Sequence, residues 1–184
     1  MSAALLAKLT AKGLIIDGSP MGGGIVEISQ SDVAGALGFG RLSDEGYKYA
    51  RAKWCDDQGY ARELQAYLPA VVWVLFNKEK NIKVSQSEAA GMATVALLQG
   101  LGGYNCPTCW GSGEIRHKVC AGCAGTGRGS MRKAEKAGYV GKSRQAYGQV
   151  WDKRVKEVEA IVQGWEQAGL AHIYRQFAAQ DEAV

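Results

Sequence analysis

Apolar positions recur every three to four residues along most of the chain, and the stretches that keep this period predict a mainly helical protein. Val33, Ala36 and Leu37 mark a first short helix, stopped by the glycine-containing turn at 38–40. Ser43 or Asp44 can cap the next helix, which carries Tyr47, Ala50, Trp54 and Cys55 on one face until Gly59. Between 60 and 76, Leu64, Tyr67, Leu68, Val71, Val72, Leu75 and Phe76 keep near-helical spacing. Pro69 interrupts that run. It has no N–H and disfavours helix at the residue before it, so Leu68 is expected to end or kink the helix. The run VVWVLF after it could pass for a buried strand, but its flanks favour helix.

Ser85-Gln-Ser-Glu88 is a capping box opening a helix with Met92, Val95, Ala96, Leu98 and Leu101, which Gly102-Gly103 ends. Residues 130–137 predict a short basic helix stopped by Gly138, and 139–141 a turn. A longer helix then begins near Lys142 or Ser143. Its stripe of Tyr147, Val150, Trp151, Val155, Val158, Val162 and Trp165 is expected to end at Gly169, with Ile173 and Phe177 on a last short helix. The first 30 residues combine a short amphipathic stretch (Leu5, Leu6, Leu9) with a Gly-rich segment and predict a flexible arm or short hairpin. No Lys-Ser/Thr follows Gly22, Gly23 and Gly24, so nothing there completes a nucleotide-binding loop.

One pattern without helical period changes the picture. CPTCWGSG and CAGCAGTG both read C-x-x-C-x-G-x-G, fourteen residues apart. They place Cys106, Cys109, Cys120 and Cys123 at the spacing of a four-thiolate zinc site, with glycines where a tight knuckle needs left-handed backbone. Four thiolates fill a tetrahedral shell and leave no open position for water, so the expected metal is one structural Zn2+. The alternative is four buried or disulfide-linked cysteines. Cys55 falls in a helical pattern and reads as a core thiol, since no His/Asp constellation accompanies it. His117 reads as a solvated or phosphate-contacting side chain rather than a fifth candidate ligand.

The net charge of +4 conceals an asymmetry. Residues 114–156 hold eleven Lys/Arg against three Asp/Glu, a local charge of +8 that leaves −4 for the rest. Such a basic region is the footprint of a module that binds a polyanion. No apolar run approaches about 18 residues, and the first residues make a poor signal peptide, so neither a membrane span nor export is expected. Cysteine at metal spacing suits a reducing cytoplasm.

A short helix, a Gly-containing turn and a second helix with polar first turns form a helix-turn-helix layout inside that basic region. Ala134 would pack inside and Gly138 would take the turn. Lys142, Ser143, Arg144, Gln145 and Gln149 can read base edges in double-stranded DNA, while Arg128, Arg132, Lys133, Lys153 and Arg154 would meet phosphates. Trp151 is expected in the core. The helix after Ser85 would be the first of a tri-helical domain, and the zinc segment an insertion between its first and second helices.

This order of features resembles the lambda-type bacteriophage late-gene transcription antitermination protein Q family. The matching stretches are SDVAGALGFGRLSDEGYKYARAKW, the two cysteine octets, and the Arg/Lys-rich segment running into Gln149-Val-Trp151-Asp-Lys-Arg154-Val-Lys-Glu-Val, together spanning about 31–167. The first 30 residues and the shorter linker between the knuckles depart from the family. The resemblance implies a protein that binds DNA at a late promoter, engages the paused host RNA polymerase holoenzyme with its sigma factor, and makes it read through terminators. It implies the cytoplasm of a bacterial host, no small-molecule substrate and no catalysis, and the chain offers no catalytic constellation. The fold class expected is mainly α: a helical body plus a helix-turn-helix DNA-binding module with an inserted four-cysteine zinc knuckle. By motif the chain divides into an arm (1–30), a polymerase-engaging body (31–84), a DNA-binding module (85–170, zinc insertion 104–128) and a tail (171–184).

Two rivals stand beside this reading. J-domain-type co-chaperones use the same octet to bind unfolded chains, but need four repeats and a His-Pro-Asp tripeptide; here there are two repeats and neither histidine precedes a proline. A zinc-containing DNA-binding repressor would need only the basic module.

Overall fold

The computed structural model describes residues 14–16, 26–102, 105–127 and 129–181. The fold is mainly helical. Strands β1 (Leu14–Ile16) and β2 (Val26–Ile28) pair antiparallel, with Ile15 opposite Glu27. The amphipathic stretch at 5–9 and the glycines at 22–24 lie outside the described residues. Helices α1 (Gln30–Gly38), α2 (Asp44–Trp54) and α3 (Gln58–Val74) follow, α3 running into a π-turn at Leu75–Glu79. Next come α4 (Gln86–Gly100), a small hairpin of β3 (Glu114–Ile115) and β4 (Lys118–Val119), and α5 (Lys133–Val140). The chain closes with the single turn α6 (Arg144–Ala146), a π-turn at Tyr147–Trp151, and α7 (Asp152–Asp181). Among the described residues no helix is long and apolar enough to cross a membrane.

The chain packs as two compact units, Met1–Gln58 with Trp165–Val184, and Gly59–Gly164. These divisions follow packing, whereas the sequence segments at 30/31, 84/85 and 170/171 follow motifs. In the first unit, Ser29 caps α1 in a reciprocal box: its Oγ accepts from the Asp32 N–H (3.2 Å), and Asp32 accepts from the Ser29 N–H (2.8 Å). Val33, Leu37, Ala50, Trp54 and Ile173 form this unit's buried cluster, with Leu170, Phe177 and the half-buried Cys55 against it. Burial pushes the Cys55 thiol up, as for a core group rather than a nucleophile. Lys53 donates to Glu166 (2.6 Å), and Tyr49 Oη donates to the same carboxylate (3.2 Å).

Gly169 does not end the last helix, as its position in the sequence predicted; α7 runs through it to Asp181. A Cβ on Gly169 would lie 2.8 Å from Trp54 Cζ3, so this glycine admits the indole instead of capping a helix.

In the second unit α3 continues through Pro69, so Leu68 does not end it. Leu64, Leu68, Val72 and Phe76, one turn apart, are all fully buried and hold the helix together from one side. The carbonyl that loses its partner belongs to Gln65, an exposed residue, so water can satisfy it. The VVWVLF run is helical, as its flanks indicated. The capping box at Ser85 forms as expected, with Glu88 Oε2 2.7 Å from the Ser85 N–H.

Helix α4 meets α5 closely. A Cβ on Gly91 would overlap the carbonyl oxygen of Tyr139, so only glycine permits this approach.

Candidate functional site

Two features of the second unit carry chemistry. Each cysteine octet folds as one knuckle, and the two knuckles are related by an approximate two-fold. The first cysteine of each donates its N–H to the last glycine of the other: Cys106 to Gly127 O (2.8 Å), Cys120 to Gly113 O (2.9 Å). Within each, the last glycine N–H points at the second cysteine sulfur, Gly113 to Cys109 Sγ and Gly127 to Cys123 Sγ, both 3.3 Å. Ser112 and Thr126 repeat the same hydroxyl bond to the Cys109 and Cys123 carbonyls (2.8 and 2.7 Å). Corresponding residues share left-handed backbone: Trp110 and Ala124 (φ 55° and 49°), Gly113 and Gly127 (φ 78° and 69°). A Cβ on either Gly113 or Gly127 would overlap a carbonyl oxygen of the opposite knuckle. The sequence repeat is therefore a structural repeat, and its glycines are sites of close approach as well as of turning.

This arrangement converges Cys106, Cys109, Cys120 and Cys123, with all four sulfurs within 4.8 Å of one another and Cys109 Sγ 3.6 Å from Cys123 Sγ. Sulfurs on a tetrahedral ion with bonds of about 2.3 Å stand about 3.8 Å apart, so the cluster can hold a metal ion. All five cysteines are free of disulfides. N–H groups of Cys109 and Thr108 aimed at Cys106 bring its thiol down to about 6. Burial alone would raise Cys109; the Gly113 and Gly111 N–H groups outweigh it and leave that thiol low. Burial pushes Cys120 up to about 11. Backbone donors thus prepare the first knuckle for thiolates, and the charge of a cation would have to complete the set.

Between the knuckles, β3 and β4 are joined by Arg116 and His117, both left-handed (φ 50° and 61°), the geometry of a two-residue type I′ turn. Arg116, His117 and Lys118 are exposed there, and the ligand cluster contains cysteines only.

The second feature is the corner between α5 and α6. Gly141, not Gly138, makes the turn. Gly138 stays helical, whereas Gly141 is left-handed (φ 69°, ψ 35°) and donates to the carbonyls of Ala137 and Gly138. Ser143 then caps the next helix, accepting from the Ala146 N–H (3.3 Å). Ala134, expected inside, is exposed; Ala137 and Val140 are the buried residues. The close contact with α4 lies at the C-terminal end of α5, where Gly91 admits Tyr139, and Ala134 is on the first turn.

The residues singled out as DNA contacts fall into distinct positions. Arg128 lies outside the described residues. Lys142 pairs with Glu88 and stands 4.7 Å over the buried Trp151 ring, while Arg154 lies 4.5 Å over the same ring. Lys133 reaches Asp152 (3.6 Å), and Ser143 is committed to its cap. Arg132, Arg144, Gln145, Gln149 and Lys153 are exposed, and no ion pair to a described residue holds them. Sequence reading missed that Lys136 is buried against Glu159 (2.6 Å) and that Lys156 pairs with Asp152 (3.1 Å). The acids Glu88, Asp152 and Glu159 thus spend part of the local positive charge on holding the unit together. Acids three or four residues from a lysine on one helix are visible in sequence; Lys136–Glu159 and Lys142–Glu88, between helices, are not. Comparison of the chain with protein-family models and with curated proteins finds no match.

Proposed function

We propose that the chain is a phage late-gene transcription antiterminator. It binds double-stranded DNA at a late promoter, engages the host RNA polymerase holoenzyme with its sigma factor, and lets the elongating enzyme pass terminators. The observation that carries the DNA part is a single juxtaposition. A helix-turn-helix corner turned at Gly141 presents Arg144, Gln145, Gln149 and Lys153 to solvent, directly after a four-cysteine hairpin placed between α4 and α5. Arg, Gln and Lys on the first turns of a second helix are the groups that pair with guanine and adenine edges and with phosphates. The cysteine cluster takes one structural Zn2+, whose closed shell stiffens the hairpin rather than activating water. No catalysis is assigned, and the working compartment is the host cytoplasm.

The polymerase part rests on the resemblance stated above and on the first unit. That unit has its own buried cluster and contributes none of the residues assigned to DNA. Transcription with purified holoenzyme on a late-promoter template bearing a downstream terminator tests it. The full chain should raise read-through without other phage factors. Binding to the template with read-through unchanged would leave a zinc-containing DNA-binding repressor, and binding to unfolded chains but not to DNA would leave the co-chaperone reading.

A further inference from the structure

The π-turn at Tyr147–Trp151 interrupts the second helix of the corner where it faces outward. The Asp152 N–H reaches the carbonyl of Tyr147, five residues back, so this turn holds one residue more than an α-turn. Counted at 3.6 residues per turn, Val150 belongs to the apolar stripe with Tyr147 and Trp151. In the widened turn those two remain buried and Val150 is left 46% exposed. Gln149 before it and Lys153 three residues on are exposed as well, and Gly148 has open space where a Cβ would stand. A half-exposed branched aliphatic, on a helix whose other exposed side chains suit DNA, has a natural counterpart in the major groove. That counterpart is the C5-methyl group of thymine, the only apolar feature a base pair presents there.

We infer that Val150 is a specificity-determining residue that recognises a thymine methyl, with Gly148 leaving room for the helix to sit close to the groove floor. This inference rests on the DNA-binding reading above and deepens it: the site should contain at least one thymine read by shape and apolar contact beside the bases read by Arg144, Gln145 and Gln149. The phosphate-facing Lys153 would set the helix in register without reading sequence.

The test begins with full-length, metal-loaded protein and selection of bound duplexes from a random pool. Each thymine of the selected site is then replaced, one at a time, by 2′-deoxyuridine, which lacks only the methyl. At one position the unmodified protein should lose about three- to fivefold in affinity, the worth of one buried methyl. Val150→Ser, at an exposed position that leaves Tyr147 and Trp151 in place, should bind the thymine and uracil versions alike. Indifference to every uracil replacement, with Arg144→Ala still relaxing site choice, would overturn the role of Val150 and leave DNA recognition standing. A uracil penalty that persists in Val150→Ser would also overturn it. Recovery of no preferred duplex would remove the DNA reading itself and this inference with it.

Discussion

Tyr147 carries a hydroxyl that the fold buries without giving it a hydrogen-bond partner among the described residues. Burial, helped by the nearby Asp152 and Glu159 carboxylates, pushes its phenol well above the usual range, so it stays protonated. A buried donor with no partner costs about 1–3 kcal/mol. Tyr147→Phe should therefore hold or gain stability, by up to about 1 kcal/mol in a urea titration; a clear loss would mean the hydroxyl has a partner. Gly91 is the opposite case. Its hydrogen is the only substituent that fits beside the Tyr139 carbonyl, so Gly91→Ala must push α4 and α5 apart. The expected loss is about 1–3 kcal/mol or more, and an unchanged melting temperature would refute the close approach.

At the scale of elements, the knuckle pair stands on mutual backbone bonds and on the cation its thiols can share. Metal analysis of the folded chain should give one zinc per chain. Replacing any one of Cys106, Cys109, Cys120 or Cys123 with Ser should abolish it and open the hairpin, because structural zinc contributes folding free energy directly. A stoichiometry of zero or two would defeat the single-site assignment. The corner has an electrostatic lock as well. Burial opposes ionisation of Glu88, but the bonds from Lys142 and Ser85 outweigh it and hold its carboxyl below the ordinary value of 4.5. Asp152 is held below its ordinary 3.8 in the same way, burial being outweighed by Lys156 and Lys133. A carboxyl whose pKa is lower in the folded chain stabilises it fully above the unfolded value and less as pH falls through the folded one. Melting temperature should thus decline on acidification below about pH 4.5. Glu88→Gln should start lower at neutral pH and decline less steeply; equal slopes for the two proteins would show that Glu88 contributes nothing to the acid response.

Across the whole molecule, the division into two compact units suggests which piece to separate. A fragment beginning at Ser85 would discard Leu64, Leu68, Val72 and Phe76, all fully buried in the second unit. The piece that keeps them is Gly59–Gly164. It should bind zinc and DNA, with affinity falling steeply as salt rises because neutralised phosphates release counterions. It should fail to raise terminator read-through, since the first unit is absent. Charge removal at Arg132 or Lys153 should weaken binding to all sequences alike, whereas Arg144→Ala and Gln145→Ala should relax site choice by about 1–3 kcal/mol per lost base contact. Read-through supported by the fragment alone would separate polymerase engagement from the first unit.

Local chemistry was legible in the sequence. The four-cysteine cluster followed from a repeated octet, and the caps at Ser43 and Ser85 followed from side chains that reach only three residues along the chain. The buried stripe from Tyr147 to Val162 followed from helical period, except at Val150, which stands half-exposed within the π-turn. The use of each glycine was not legible, because glycine serves both where the backbone must turn left-handed and where another element must come close. Gly141 turns the chain, Gly138 merely continues a helix, and Gly91 and Gly169 sit inside helices to admit Tyr139 and Trp54. The fate of the lysines was equally a tertiary matter: Lys136 and Lys142 count as basic in sequence, yet helices distant in the chain bring Glu159 and Glu88 to them. Sequence by itself determined the interactions that close within a few residues; which residues meet across helices, and so which charges remain for a partner, was decided only when the chain packed.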